Sequence, residues 1–498
     1  MGRLVRMSAM LPDWLTHRAR GLPRVTAIAA GRRRGLSYAA LYEYAVRQAH
    51  GLAAVGVGPG ERVAAIAGTS SDFVIAMHAT TLVDAIFVPL NVRLTAHELA
   101  EQLRNAEPAV VLCDLHCEAL AVEAAALAGL SKPFRMPLET EEEKAQIVEA
   151  HDSESCHSIV YTSGTAGHAK GVVLTYGNFW ASASASALNL GLDPSDRWLA
   201  CLPLNHVGGL SIPIRSAIYG TTVELHSRFE PDAVNRAVRS GDVTLLSVVP
   251  TMLRRMLNAD DLSFGSSLRA VLVGGGPVAP GLLERATERG LPVVQTYGLT
   301  EACSQVTTLA PSEAMSHLGS AGRALLSAEV RVDASVGEAG EILIRGPAVT
   351  TGYFRNPEAT KAAFSDGWLQ TGDIGFFDKD AFLTVLDRRD DVIISGGENV
   401  YPAEVEAALL AYPGIEAAAV VGVSDDEWGQ RVVAAVVSHL PVELDRVEPL
   451  LRSRLAGYKI PVGIERFDAL PTTSSGKVQR RFVRQQMAKR LAKLPSKQ

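Results

Sequence analysis

The chain has no long apolar run, few cysteines, no low-complexity tract and no surplus of positive charge, and each absence narrows what it can be. Its longest apolar stretch, Val74 to Leu90, is interrupted by His78, Thr80, Thr81 and Asp84, so it reads as a core element and not as a membrane span. The five cysteines, Cys113, Cys117, Cys156, Cys201 and Cys303, are odd in number and scattered, which excludes a disulfide framework and points to a reducing, cytoplasmic compartment. Cys113 and Cys117, with His116 between them, lack a second ligand pair at metal-site spacing, and Cys113 ends the apolar run VVLC; a packed strand end is expected there. With 48 Lys+Arg against 54 Asp+Glu the net charge is -6, without the basic excess that duplex binding needs. Arg32, Arg33 and Arg34, between two strand-like segments, read as a solvated hairpin tip, so no nucleic-acid partner is implied. Arg3 and Arg6 are followed by Pro12 and Asp13 instead of an apolar segment, so no secretory leader is expected.

What is present is a large globular chain: 498 residues, 47% hydrophobic and 20% charged, long enough for more than one domain. Short β-rich runs alternate with helical periodicity, as in VAAIAG (63–68), IFVPL (86–90), AVVLCD (109–114), TLLSVV (244–249) and AVLVGG (270–275). This is the pattern of α/β organisation with parallel sheets. From Ala328 to Asp387 the texture changes to short strands and tight turns, which predicts a small antiparallel sheet or barrel. The charged run DRRDD, Asp387 to Asp391, then precedes about a hundred residues of mixed helix and strand, the size of a small α+β domain. The fold class is therefore α/β: a large N-terminal domain over residues 1–389 and a small C-terminal domain over 390–498.

Chemistry concentrates in a few segments. YTSGTAGHAKG, Tyr161 to Gly171, packs glycines, the hydroxyls of Thr162, Ser163 and Thr165, and Lys170 behind the apolar segment Ser158 to Tyr161, as a phosphate cradle requires. Lys170 lies between Ala169 and Gly171, so this is not a Walker loop. TYGLTEA, Thr296 to Ala302, follows the apolar LPVV and should sit at the carboxyl end of a strand, where open α/β sheets bind ligands. There Tyr297 can stack on a base, Thr300 can donate to a phosphate, and Glu301 is a hard oxygen ligand for magnesium carrying ATP; the bland alternative is a capped helix start. The glycines of Gly274 to Pro277 would let backbone approach a flat ring. WLQTGDIG places Asp373 in a tight turn, either accepting from both hydroxyls of a ribose or making an Asx turn. LPTTSSGKVQRR, Leu470 to Arg481, puts Lys477 on a glycine-bearing loop; its plain alternative is a flexible basic tail.

In this order, YTSGTAGHAKG, QTYGLTE, GYF (352–354), TGD (371–373), DRRDDVIISGGENVYP (387–402) and LPTTSSGK resemble the signatures of the adenylate-forming superfamily of acyl-CoA synthetases, peptide-synthetase adenylation domains and luciferases. The resemblance spans essentially the whole chain. It departs at Ala166 and Ala169, where a hydroxyl and a proline are common, and at Asp387, where glycine is usual. The resemblance implies a two-step reaction with ATP, Mg²⁺ and coenzyme A: a carboxylate attacks the α-phosphate to give an acyl-adenylate, then a thiol displaces AMP. It implies Lys477, Thr300, Glu301 and His206 as catalytic residues, with Glu301 holding the metal. Thr162, Ser163, Gly164, Thr165, Gly167 and Lys170 would bind phosphate; Gly275, Gly276 and Tyr297 would meet the adenine, and Asp373 and Arg388 the ribose. Asp390 matches the hinge of a mobile C-terminal domain, and Gly396 and Gly397 line the path of the pantetheine arm.

The segment CLPLNHVGGLSIPIRSAIYG, Cys201 to Gly220, is expected to line an acyl pocket with His206 at its mouth and Arg215 inside. A buried arginine needs a partner, either a second carboxylate on the substrate or a protein carboxylate or carbonyl. Together with SALNLGL (186–192), TEACSQVTTLAP and LGSAGR (318–323), this stretch closely resembles the 2-succinylbenzoate-CoA ligases of menaquinone biosynthesis, whose substrate is a dicarboxylate. Other aryl- or fatty-acyl-CoA ligases, a carrier-loading enzyme and a non-catalytic nucleotide-binding protein remain as alternatives. Partners are thus a small carboxylate, ATP and CoA, with no nucleic acid and no membrane insertion; a homodimer is compatible with the sequence.

Overall fold

The computed structural model describes residues 9–30, 33–138, 140, 142, 144–162, 169–265, 267–276, 278–388, 391–395, 398–425, 428–455, 457–473 and 476–491. Among these, the large domain is built on two sheets. The first runs in the order Lys170–Thr175, Cys156–Thr162, Ile86–Leu90, Arg62–Ile66, Val110–Cys113, Phe134–Arg135, all parallel except the antiparallel Lys170–Thr175 edge. Parallel strands are covered on both faces, and Val63 to Ile66 are correspondingly 0% exposed. The interrupted apolar stretch read as core is the helix Ser71–Leu82 followed by the strand Ile86–Leu90; the helix is buried from Phe73 to Leu82.

The second sheet has parallel central strands, Val293–Tyr297, Ala270–Val273, Leu245–Val248, Arg197–Ala200, Thr222–Leu225 and Thr26–Ala30, with antiparallel strands at each edge. One edge is the hairpin partner Arg33–Ser37, in which Arg33 pairs with Ala30; Arg33 and Arg34 therefore belong to the strand and not to the expected tip, and Arg32 lies outside the described residues. All five cysteines are free, and Cys113 does end a buried strand.

Residues 329–388 form the expected antiparallel unit, an open sheet in which Trp368–Phe377 pairs with Gly340–Arg345, Phe364–Ser365 and Leu383–Arg388. The small domain is an α+β unit whose long hairpin, Ile415–Asp425 with Gly429–Ser438, packs against helices Pro402–Leu410 and Arg480–Leu491. Among the described residues, no helix is long and apolar enough to cross a membrane.

Candidate active site

The site forms where strands of the second sheet end. Tyr297 closes the strand Val293–Tyr297, and the chain then folds back on itself so tightly that a Cβ at Gly298 would meet the Ser304 carbonyl oxygen at 1.5 Å. Only glycine permits this. The turn Thr300–Ala302 is followed by Cys303 and Ser304 at φ 53° and 93°, two consecutive left-handed non-glycine residues of the kind that marks a strained functional loop. Tyr297 is buried, and its hydroxyl donates to Asp373 Oδ2 at 2.7 Å, which joins the predicted adenine and ribose residues.

Asp373 is not in a tight turn, as its sequence suggested. It lies within the strand Trp368–Phe377, where pairing passes from Glu341–Ile374 to Leu343–Gln370 and leaves Thr371 to Asp373 as a bulge, with Gly372 at φ 70°. A bulge re-aims a side chain without ending the strand, which is why glycine and aspartate here imitate turn chemistry. Asp373 sits opposite Arg388 in the register with Leu383–Arg388; of Arg388 only the backbone is described.

Thr162 and Lys170 face each other across the antiparallel pair that carries the predicted phosphate cradle, and Thr162 Oγ1 reaches the Lys170 carbonyl at 3.4 Å. Ser163, Gly164, Thr165 and Gly167 lie outside the described residues, as do Asp390, Gly396 and Gly397. Lys170 Nζ lies 5.0 Å from the centre of the Tyr353 ring, and the hydroxyl of the same tyrosine donates to Glu301 Oε1 at 2.9 Å. Gly275, at φ 80°, and Gly276 follow the strand Ala270–Val273, at the same end of the sheet as Tyr297.

His206 caps the helix Val207–Tyr219. Burial pushes its pKa down to about 4, and the positive charges of Lys477 and Arg93 push the same way, so the imidazole is neutral near pH 7. Its Nε2 is buried without a hydrogen-bond partner among the described residues. Lys477 stands on a hairpin closed by Thr473 N to Lys477 O at 2.7 Å and by Lys477 N to Thr473 Oγ1 at 3.1 Å. Gly476, at φ 82°, rests against the large domain: a Cβ there would lie 3.2 Å from Thr251 Oγ1. Arg480 fixes the hairpin's base through Nη2 to both Glu406 oxygens at 2.9 Å. From the large domain, Arg254 donates to the Glu416 carbonyl across the seam.

Arg215 is 4% exposed. Its Nη2 donates to Ser182 Oγ at 3.1 Å and Ser304 Oγ at 2.8 Å, and its guanidinium lies 5.6 Å from the Trp198 ring centre. Among the described residues it has no carboxylate partner and its Nε is unpaired; burial lowers its pKa from the ordinary arginine value. Neither protein partner named in the sequence, carboxylate or carbonyl, is the one observed. Ser182 in turn donates to the Cys303 carbonyl at 2.8 Å, so Arg215 is held against the turn that carries Glu301. The capping pair Thr175 and Asn178 sets the start of the Ser182 helix, with Asn178 also bonding Pro347 O and Val349 O.

The AMP-binding enzyme family matches residues 15–354, and the AMP-binding enzyme C-terminal domain matches 404–477. This chain belongs to the AMP-binding enzyme family. A 2-succinylbenzoate–CoA ligase from Geobacillus kaustophilus is 43% identical to this AMP-binding enzyme over 96% of the chain and 98% of that protein. The o-succinylbenzoate CoA synthetase from Bacillus subtilis, solved with its acyl-adenylate intermediate, is 39% identical with a TM-score of 0.90, covering 95% of this chain and 98% of that one. Its complex with ATP and magnesium covers 95% and 99% and gives 0.89 at 39% identity. A double mutant of the same enzyme with a product analogue gives 0.73 at the same identity, covering 95% and 98%. The sequence expectation of a large N-terminal domain and a small C-terminal domain is met by this fold.

Several residues packed around the candidate site were not singled out in the sequence. Tyr353, Arg93, Ser182 and Ser304 enter through tertiary packing; Tyr353 and Ser304 fall within quoted stretches, GYF and TEACSQVTTLAP, where neither was given a role. The donor set also suits a cation delivered with nucleotide. Among the described residues no cluster of three or more His, Cys, Asp or Glu could hold a metal, whereas Glu301 has one oxygen taken by Tyr353 and the other free of any such bond. A single carboxylate completed by phosphates and water is how magnesium binds at nucleotide sites.

Proposed function

We propose that this chain activates 2-succinylbenzoate with ATP and transfers it to coenzyme A, releasing AMP and pyrophosphate, as a step of menaquinone biosynthesis. The observation that carries the choice of acid is Arg215: a buried cation held by two hydroxyls and, among the described residues, by no protein carboxylate, beside the turn that bears Thr300 and Glu301. A dicarboxylate supplies the missing anion with the ring carboxylate while its succinyl carboxylate reacts. The likeness to 2-succinylbenzoate–CoA ligases over nearly the full length supports the same acid.

In the first step an oxygen of the succinyl carboxylate attacks the α-phosphorus of ATP, the bond to pyrophosphate breaks, and a mixed anhydride forms. Two anions must approach, so the chain's task is to offset negative charge. Lys477, Lys170, the Thr300 hydroxyl and the loop of Thr162, Ser163, Gly164, Thr165 and Gly167 take that role. Magnesium bound through Glu301 would supply further neutralisation at the phosphates. Tyr297, Gly275 and Gly276 flank the adenine; Asp373, fixed by the Tyr297 hydroxyl, and Arg388 hold the ribose. His206, neutral, offers an Nε2 that has no hydrogen-bond partner among the described residues at the mouth of the acyl pocket.

In the second step the CoA sulfur attacks the acyl carbon, loses its proton, and AMP leaves. Gly396 and Gly397 line the thiol's path, and rotation of the small domain about Asp390 exchanges them for Lys477. Division of the chain at 389/390 belongs to this reading and is supported by the family matches, which leave 355–403 between them. A cytoplasmic location is supported by the five free cysteines. A homodimer is compatible with the mechanism and not required by it, since every named residue lies on one chain.

The test is mass spectrometry of products after incubation with ATP, Mg²⁺, CoA and 2-succinylbenzoate, with benzoate, 4-chlorobenzoate and octanoate in parallel. The expected result is 2-succinylbenzoyl-CoA with AMP and little thioester from the other acids. Preference for another acid overturns the role of Arg215; no thioester from any acid overturns the ligase reading.

A further inference from the structure

Tyr353 touches both Glu301 and Lys170, the charged side chains assigned above to the nucleotide's magnesium and phosphates. Its hydroxyl donates to Glu301 Oε1 at 2.9 Å, and its ring lies under Lys170 Nζ at 5.0 Å. Its own position is fixed from three sides before any ligand binds. It bridges to Val172, and on either side of it Val173 N bonds Gly352 O at 3.1 Å and Phe354 N bonds Gly171 O at 2.7 Å, so it travels with the strand that starts at Lys170. Thr350 N bonds the Glu301 carbonyl at 2.7 Å, which ties the same segment to the turn carrying the carboxylate. Tyr353 N makes the third anchor by donating to Thr360 Oγ1 at 2.9 Å; the close approach depends on Gly352, whose φ of 149° and 2.5 Å spacing to Thr360 leave no room for a Cβ.

We propose that Tyr353 is the positioning residue of the adenylation step, holding the Glu301 carboxylate toward the divalent cation of the nucleotide and keeping Lys170 from pairing with it. This rests on the ligase reading above. An ammonium and a carboxylate on neighbouring elements would otherwise close into an ion pair, yet among the described residues none joins Lys170 to Glu301. The phenol lies between them. Its hydroxyl takes one of the roughly four lone-pair directions of the carboxylate and leaves the rest to a cation, while the ring face holds the ammonium by its quadrupole and leaves its three protons to phosphate. A neutral donor suits the task, since it orients the ligand without cancelling the charge that attracts the metal.

The experiment is a Mn²⁺ titration followed by electron paramagnetic resonance on the full chain with ATP and no acid, comparing wild type, Tyr353→Phe, Glu301→Gln and the double variant. Tyr353→Phe keeps the ring and removes the hydroxyl. Its Mn²⁺ affinity is expected to fall about ten-fold or more, the usual effect of losing an outer-sphere hydrogen bond to a metal ligand. In the Glu301→Gln background the same change should add nothing. Conversion of preformed acyl-adenylate to thioester should match wild type in Tyr353→Phe, as should the melting temperature. Unchanged Mn²⁺ affinity in Tyr353→Phe overturns the proposal, as does an equal slowing of the thioester half-reaction, which would mark general distortion. Wild-type thioester formation in the same preparation separates either failure from failure of the ligase reading itself.

Discussion

Replacing Arg215 by Met should separate binding from stability, because the two effects have opposite signs. In the free protein the guanidinium is buried with, among the described residues, two hydroxyl partners and an unpaired Nε, so its desolvation is poorly compensated. An unbranched apolar side chain of similar length removes that penalty and loses two charged hydrogen bonds of about 1.5 to 3 kcal/mol each. The balance predicts a melting temperature close to wild type or above it. With 2-succinylbenzoate bound, the same substitution leaves the ring carboxylate buried without its cation, at a cost of about 3 to 5 kcal/mol. That is a loss of about a hundred-fold to several thousand-fold in kcat/KM. The assay pairs 2-succinylbenzoate with 4-oxo-4-phenylbutanoate, which keeps the reacting arm and lacks the ring carboxylate. The variant should lose activity on the first acid and hold or gain on the second. Equal losses on both acids, or an unchanged KM for 2-succinylbenzoate, would refute the reasoning.

Lys477→Ala should cost about 3 kcal/mol in pyrophosphate release, leave thioester formation from preformed acyl-adenylate near wild type, and raise the His206 titration seen by NMR, since a neighbouring positive charge is gone. Arg254→Ala removes one half-exposed bond across the seam and should slow adenylation by about five-fold, corresponding to about 1 kcal/mol, with the thioester half-reaction spared; equal slowing of both would count against a role in domain placement. Burial pushes His78 down to about 4 and His157 down to about 3, in a cluster with His151 and Asp13. The unfolded chain therefore takes up protons below its ordinary histidine value, near 6.5, while the folded chain does not. Each of the two should withdraw about 1.4 kcal/mol of stability per pH unit as pH falls from about 6 to 4. Urea unfolding of His157→Phe at pH 7, 6 and 5 should show a shallower decline; an identical slope would exclude His157 as a source.

How far the chain could be read in advance follows the reach of its interactions. Parallel strands such as Arg62–Ile66 and Ala270–Val273 announce themselves because a doubly covered strand is a continuous apolar run. The glycine and hydroxyl motifs were legible because tight turns and phosphate contacts demand particular residues at fixed local offsets. Asp373 was placed in a turn because a bulge and a turn share the Thr-Gly-Asp vocabulary, and only the cross-strand register of Glu341 and Leu343 tells them apart. Ser182 and Ser304 stand 33 and 89 residues from Arg215, and Tyr353 stands 52 from Glu301. Nothing local marks a serine as an arginine's partner, so long-range packing alone could supply these members.

The seam between the two domains has one further consequence. Two of its contacts put main chain on the small-domain side: a glycine, Gly476, against the large domain's Thr251, and the carbonyl of Glu416 under Arg254. Such a joint recognises a backbone contour and is indifferent to most side chains that could decorate it. Ser182, Arg215 and Ser304, proposed here to face the acid, all lie on the other side. The small domain should therefore be interchangeable: a hybrid that takes it from another family member is expected to keep the substrate preference of whichever protein contributed the large domain.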